Sequence, residues 1–150
     1  MNTRYALRTS PGWEVPVSLE RIERASKNDN FAAHCGAVLT DVGPGRATAR
    51  MEVGDHHLNA VGIVHGGAIF TLADFAFAMA SNSHGTVAVA INANISFVKA
   101  VRDGVLTAEA TEVSRNARLA SYSIDVTDEA GDLVASFQGM VYRKKEQVPY

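Results

Sequence analysis

The feature that most constrains this chain is an apolar segment at residues 68–80, which follows a His-Gly-Gly turn at residues 65–67. Only Thr71 and Asp74 interrupt it, and a helix that is apolar on all sides is normally buried. An ionised aspartate inside such a helix is costly unless another group pairs with it or donates a hydrogen bond to it. The sequence therefore predicts a buried central helix that carries a single carboxylate.

The turn before this helix places backbone N–H groups where a helix start binds anions. A buried carboxylate together with an anion-binding helix start indicates an acyl-transfer site. Gly66, and with it Gly67, would donate to the reacting carbonyl oxygen, and Asp74 would act as nucleophile or as general base for water. Asn59 and His65 are candidates for holding the carbonyl, the water or the loop. The alternatives are a simple tight turn, a structural acid at Asp74 and a turn residue at Asn59.

The spacing between the two predicted groups has a consequence for assembly. Asp74 lies eight residues after Gly66, which along a helix corresponds to about 12 Å of rise and about 80° of rotation. Asp74 therefore cannot meet the N–H groups at the start of its own helix. If the two groups cooperate, they come from different copies of the chain, which predicts a symmetric dimer with two composite sites.

The remaining segments are mostly typical of strands. An amphipathic helix is expected at residues 18–27 with Ser18 as N-cap, and a further helical turn at 29–34. Strands are expected at 35–41, 46–53, 86–99, 105–113, 119–127 and 133–142. This order predicts an α+β domain in which an antiparallel sheet curls around the long helix. The expected organisation is an N-terminal arm at 1–17, one domain at 18–145 and a C-terminal tail at 146–150.

Composition excludes several classes of function. A net charge of −2 and an isoelectric point near 6.2 offer no basic surface for nucleic acid. No apolar stretch is long enough to span a membrane, and no signal peptide is recognisable, so we expect no membrane partner. The single cysteine, Cys35, is consistent with a cytoplasmic location. The adjacent His56 and His57 lack further ligands at suitable spacing, so no metal is expected.

The central residues resemble the signature of the hotdog-fold thioesterases of the phenylacetyl-CoA type. The resemblance is carried by the pattern Asn59-x5-His65-Gly66-Gly67-x2-Phe70-x-Leu72-Ala73-Asp74-x-Ala76-Phe77-Ala78. It continues through Ala80-x-Asn82-Ser83 and Ile95-Ser96-Phe97 to the closing segment Gly131-x-Leu133-Val134-Ala135-x-Phe137-x-Gly139-x-x-Tyr142-Arg143.

The resemblance implies a hotdog fold, an antiparallel sheet wrapped around the long helix, that forms dimers and commonly tetramers. It implies hydrolysis of small to medium acyl-CoA, with aromatic acyl groups as candidates, and with coenzyme A as part of the substrate rather than a cofactor. The family's carboxylate corresponds to Asp74, its oxyanion glycine to Gly66, and its Asn and His to Asn59 and His65. Some relatives carry a water-positioning hydroxyl near the position of Ala90, where this chain has none.

Further residues are candidates for substrate binding. Asn92 and Asn94 are the polar residues nearest to the missing hydroxyl, and Phe70 is a candidate for lining the acyl pocket. Phe75, Phe77 and Phe97 are expected in the core, with an acyl-pocket wall as the alternative. The coenzyme A phosphates require basic residues, for which the candidates are Lys99, Arg102, Arg115 and Arg118.

Two other functions on the same fold remain open from the sequence. One is a non-catalytic acyl-CoA sensor, which would be expected to carry an additional DNA-binding segment. The other is a dehydratase or hydratase of acyl thioesters, which usually needs a histidine acting on the acyl chain. A carboxylate on the central helix, with His65 at its start, fits hydrolysis better than either.

Overall fold

A computed structural model of the chain describes residues 17–150. The helices are α1 (Val17–Asn28), α2 (Asn30–His34) and α3 (Gly66–Asn82), and a short 3-10 turn occupies Asp55–His57. The strands are β1 (Ala37–Gly43), β2 (Arg46–Glu52), β3 (Thr86–Phe97), β4 (Val105–Arg115), β5 (Leu119–Thr127) and β6 (Leu133–Gln147). Of the arm predicted at 1–17, residues 1–16 lie outside the described residues, and Val17 begins α1.

The six strands form one antiparallel sheet in the order β1-β2-β4-β5-β6-β3. The sheet wraps around α3, which contacts every strand, and we call the side that faces α3 the inner face. Alternate residues of β4, β5 and β6 are buried on this face, as period-2 strands over a core require. The predicted α+β architecture, a sheet around a long central helix, is confirmed.

The apolar character of α3 is explained by its burial. Leu72, Ala73, Ala76, Phe77 and Ala80 are all fully buried against the sheet. Within residues 17–150, no helix is long and apolar enough to cross a membrane. Thr71, Asp74, Ala78 and Asn82, at spacings of three and four residues, are only half-buried. They form a stripe along α3 that the chain's own sheet does not fully cover.

The C-terminal end of α3 is fixed to the sheet by side-chain hydrogen bonds. The Asn82 Oδ1 accepts from the Ala88 N–H at 2.9 Å, and its Nδ2 donates to the Ala78 and Ala88 carbonyls at 2.9 and 3.3 Å. The Ser83 Oγ accepts from the Gly45 N–H at 2.8 Å. The Asn82–Ala88 bonds place the end of α3 beside the beginning of β3, so the helix and this strand run in opposite directions, and the Ser83 bond joins α3 to the turn between β1 and β2.

Several predicted boundaries differ from the structure by one or more residues, and three of these differences change an assignment. Ser18 lies inside α1, which begins one residue earlier, so its assignment as N-cap was wrong. The strand predicted from Cys35 begins at Ala37, because Cys35 ends α2 and Gly36 turns the chain with a φ of 75°. The last strand continues beyond Tyr142 to Gln147, so much of the predicted tail at 146–150 is ordered against the sheet. Val148 is buried there, and its N–H donates to the Gly85 carbonyl at 3.0 Å.

Candidate functional site

A cleft of about 380 Å³ opens at the N-terminal end of α3. One wall is the loop before α3, which contributes Asn59, and the helix start contributes Gly66. The opposite wall is the end of β3 and the segment after it, including Phe97 and Lys99. The structure therefore brings together three residues predicted for the site, Asn59, Gly66 and Lys99. It also places Phe97 in this wall and not in the core, where the sequence had put it first.

The first turn of α3 has one N–H group that finds no partner in the described part of the chain. His65 is the N-cap, and its Nδ1 accepts from the Gly67 N–H at 2.8 Å. Its carbonyl accepts from Ala68 and Ile69 at 2.9 and 3.3 Å. Within residues 17–150, no hydrogen bond uses the Gly66 N–H. Of the two predicted donors, the Gly67 N–H is therefore already used by His65, and the Gly66 N–H is available to an anionic oxygen in the cleft. The dipole of α3 adds partial positive charge at this end of the helix.

Asn59 shapes the loop that precedes the helix. Its Oδ1 accepts from the Val61 and Ile63 N–H groups at 3.0 and 3.3 Å, and its own N–H donates to the Ile63 carbonyl at 2.8 Å. From outside the loop, the Arg102 guanidinium donates to the Gly62 carbonyl at 2.8 Å. Because the Asn59 oxygen is engaged by the loop, its side-chain NH₂ is the group left to bind a ligand in the cleft.

Asp74 lies two turns along α3 from Gly66 and does not line the cleft of its own chain. Its side chain is half-buried, and within the described part of the chain its carboxylate makes no hydrogen bond or ion pair. Burial, and then the negative charge of Asp29, raise the pKa of the Asp74 carboxyl above its ordinary value. An unpaired, partly desolvated carboxylate with a raised pKa is a candidate catalytic base.

The other predicted pocket residues lie elsewhere. Phe70 is half-buried and packs edge-on against Phe137, with ring centroids 5.3 Å apart. Asn92 and Asn94 are exposed and stand opposite Met140 and Gln138 of β6, which are also exposed. Residues directly opposite each other in an antiparallel pair point to the same side. Both asparagines therefore lie on the outer face of the sheet, away from the cleft.

Two of the predicted basic residues, Lys99 and Arg118, are placed very differently. Lys99 is exposed at the cleft, but its Nζ donates to Asp128 and Asp132 at 2.5 and 2.7 Å. The Asp128 bond above all, with that from Asp132, raises the pKa of Lys99. Two carboxylates thus compensate its charge, which makes it a poor phosphate ligand. Arg118 lies in the β4–β5 turn, at the far end of the sheet from the β5–β6 turn that binds Lys99.

Sequence reasoning missed one residue that positions the site. His57 is buried, and its carbonyl accepts a hydrogen bond from the His65 N–H at 2.7 Å. Its ring forms hydrogen bonds with the Gly54 N–H at 2.9 Å and with the Cys35 carbonyl at 2.8 Å. In sequence, the adjacent His56 and His57 suggest a metal only weakly. In residues 17–150, no group of three or more His, Cys, Asp or Glu side chains could hold a metal ion.

Comparisons with known proteins agree on one family. The family model of the thioesterase superfamily matches residues 61–135. A protein of Archaeoglobus fulgidus with the provisional name of esterase is 44% identical over 82% of this chain and 80% of its own length. The acyl-coenzyme A thioesterase PaaI of Escherichia coli is 35% identical over 78% of this chain and 84% of the relative.

Solved structures show the same fold. The structure of the E. coli PaaI protein, from the phenylacetic acid degradation operon, superimposes with a TM-score of 0.84 and 30% identity. It covers 89% of this chain and 99% of that chain. A mutant form of the phenylacetic acid degradation protein PaaI of Thermus thermophilus gives a TM-score of 0.74 and 38% identity over 77% of this chain and 100% of that chain. The expected hotdog fold is thereby confirmed.

Proposed function

The chain belongs to the thioesterase superfamily, and from this premise we propose that it hydrolyses small to medium acyl-CoA, aromatic acyl groups included, to the free acid and coenzyme A. The observation that carries the proposal is the Gly66 N–H at the start of α3, which has no partner among residues 17–150 and lies at a cleft of about 380 Å³. A thioester carbonyl bound there gains negative charge during attack. A preorganised donor of this kind contributes about 100- to 1,000-fold to the rate.

Asn59 supports the same role from the other side of the cleft. With its Oδ1 engaged by Val61 and Ile63, it can present its NH₂ as a second donor toward the carbonyl oxygen. His65 contributes by occupying the Gly67 N–H, which leaves Gly66 as the free donor of the first turn. In this scheme, His65 and Asn59 determine where the carbonyl binds.

Asp74 would supply the carboxylate from a second copy of the chain. The distance to its own helix start is too long, and its carboxylate is unpaired within the described residues. If a two-fold axis brings Asp74 of one copy to Gly66 of the other, that axis passes between the two α3 helices at the level of Phe70, midway between the two residues. The half-buried stripe of Thr71, Asp74 and Ala78 then faces the partner helix.

The exposed edge of the sheet supports this dimer. β3 is an edge strand of 12 residues, and its Val89, Ile91 and Phe97 are 45%, 56% and 53% exposed. A long apolar edge is a template for pairing with another chain. Antiparallel pairing of β3 with its copy would join the two sheets and run the two α3 helices in opposite directions. A pair of such dimers would form the tetramer.

The same pairing offers a site for the coenzyme A phosphates. Arg118 lies beside Arg143, because the backbone N–H of Arg143 donates to the Arg118 carbonyl at 2.7 Å. Arg143 in turn stands opposite Ala88, near the start of β3. In an antiparallel pair, the start of one β3 approaches the end of the other, where the cleft opens. Arg118 of the second copy would thus be better placed for phosphates than Lys99.

The chemical step has two forms that share these groups. As general base, Asp74 takes a proton from water while the water oxygen bonds to the carbonyl carbon, and the carbon–sulfur bond then breaks to release the thiolate, which takes up a proton. As nucleophile, the carboxylate displaces the thiolate itself and forms an anhydride that water hydrolyses. In both, Gly66 and Asn59 donate to the carbonyl oxygen.

The test is release of free thiol from a panel of straight-chain, branched and aromatic acyl-CoAs by the wild type and by Asp74→Asn. We expect turnover by the wild type and its near-complete loss in the variant, with both proteins folded. Acyl-CoA binding without turnover in the wild type would instead indicate a sensor. Conversion of crotonyl-CoA or 3-hydroxyacyl-CoA without thiol release would indicate a hydratase or dehydratase.

A further inference from the structure

Phe97 is a large apolar residue on the inner face of the sheet that the core does not cover. It is the last residue of β3 and stands opposite Ala135, which is fully buried, so its side chain points to the side of α3. It is nevertheless 53% exposed. In the described part of the chain, the aromatic pairs of the core join Phe70, Phe77, Tyr122 and Phe137, and none includes Phe97.

The exposed ring lies directly against the helix start. A Cβ built on Gly66 would lie 3.0 Å from the Phe97 Cζ and 3.4 and 3.5 Å from its two Cε atoms. The tip of the ring therefore occupies the space that any side chain at position 66 would need. Phe97 also lines the cleft together with Gly66 and Asn59.

We propose that Phe97 is a specificity-determining residue whose ring forms the wall beside the bound thioester carbonyl and limits the bulk of the acyl group at its α carbon. The inference rests on the proposed role of the Gly66 N–H. An oxygen bonded to that N–H lies about 2.9 Å from the nitrogen, so the carbonyl carbon and α carbon follow within the reach of the ring. A straight-chain α carbon needs little width there, whereas a branched one needs room that the ring occupies.

This position differs from that of an ordinary pocket wall. A ring at the far end of the acyl group would set chain length, while a ring beside Gly66 discriminates at the first carbon after the carbonyl. One misplaced methyl or methylene group in an apolar site changes kcat/KM by about 10- to 200-fold. Because the ring is 53% exposed within one chain, shortening it should cost the fold of that chain little, and because β3 is the proposed dimer edge, subunit assembly of the variant is measured beside its activity.

The experiment compares butyryl-CoA with isobutyryl-CoA, which have the same number of carbons and differ in branching at the α carbon. The quantity measured is the ratio of kcat/KM for the two substrates. Phe97→Ala should shift this ratio toward isobutyryl-CoA by about ten-fold or more, and Phe97→Trp should shift it the other way. Val38→Ala removes another exposed apolar side chain, 48% exposed on β1 at the sheet edge opposite β3, and should leave the ratio unchanged.

The outcomes separate this inference from the proposed function. A wild type that releases thiol from none of the panel would refute the thioesterase assignment. If Phe97→Ala hydrolyses butyryl-CoA but the ratio is unchanged, the role of Phe97 alone is overturned. An equal shift of the ratio in Val38→Ala would overturn it as well. Should Phe97→Ala fail to fold, Phe97→Leu retains an apolar side chain and is expected to shift the ratio in the same direction; no shift there refutes the inference.

Discussion

Gly139 lies where β6 passes under the central helix, and replacing it with alanine tests how α3 is seated. A Cβ at this position would lie 2.5 and 2.6 Å from the Cζ and Cε1 atoms of Phe77. Ordinary contact between carbon atoms is about 3.5–4.0 Å, so roughly 1 Å of overlap must be relieved. Phe77 is fully buried, and its ring lies 5.6 Å from those of Tyr122 and Phe137, so it has no free space into which to move.

The magnitude follows from two opposing effects. Overpacking a well-packed core costs about 1–3 kcal/mol. Gly139 has no left-handed backbone conformation, so alanine is compatible with its backbone and restricts the unfolded chain, which returns about 0.4–1 kcal/mol. The expected net loss is about 1–2 kcal/mol of unfolding free energy, or a fall in Tm of about 2–8 °C for a domain of this size.

The assay is urea or thermal unfolding of the wild type, Gly139→Ala, Phe77→Leu and the double variant at one fixed protein concentration, since oligomerisation alters apparent stability. Shortening Phe77 vacates the space that the new methyl group needs. The double variant should therefore lose at least about 1 kcal/mol less than the sum of the single losses, a coupling typical of residues in contact. Strict additivity, or a Gly139→Ala protein as stable as the wild type, would refute this account of the packing.

Three further predictions concern the site. Gly66→Ala should change Tm by less than about 2 °C, because the Phe97 ring that the new methyl group meets is partly exposed and can move. Its kcat/KM should nevertheless fall about ten-fold, because the ring is displaced into the cleft. A large loss of stability would contradict this account. Asp74→Asn should lower turnover by about 100- to 10,000-fold. The same variant should raise Tm at neutral pH. Because the pKa of Asp74 is raised in the folded state, the wild type loses stability as pH rises through that pKa, and the advantage of the variant should disappear below the ordinary aspartate range. A difference in Tm that does not depend on pH would refute this prediction. Mixing inactive Asp74→Ala with inactive Gly66→Pro should restore part of the activity through hybrid dimers, and no recovery after verified subunit exchange would refute the composite site.

Several elements of the fold could be predicted from local pattern alone. The apolar segment around Asp74 specified α3, because only a central position buries every side of a helix. The alternation in β2, β4, β5 and β6 specified strands with one face in the core. The eight-residue spacing from Gly66 to Asp74 already excluded cooperation within one helix, since it depends only on helical rise.

The orientation of Asn92 and Asn94 could not be predicted in this way. Ala90 stands opposite the buried Val141, so simple alternation would place both asparagines on the inner face. A bulge at Ile91 inserts one extra residue and moves them to the outer face. Such a bulge depends on how β3 pairs with β6, which the sequence of β3 alone does not specify.

Periodicity over neighbouring residues was enough to predict the central helix and the order of the strands, and residue identity was enough to predict the carboxylate and the glycine turn. Which groups are left free follows only from the folded chain. Lys99 is compensated by Asp128 and Asp132, about 30 residues away, and the Phe97 ring reaches Gly66 across the cleft. The physical reason is that charge compensation and close contact are properties of pairs distant in sequence, and folding brings those pairs together.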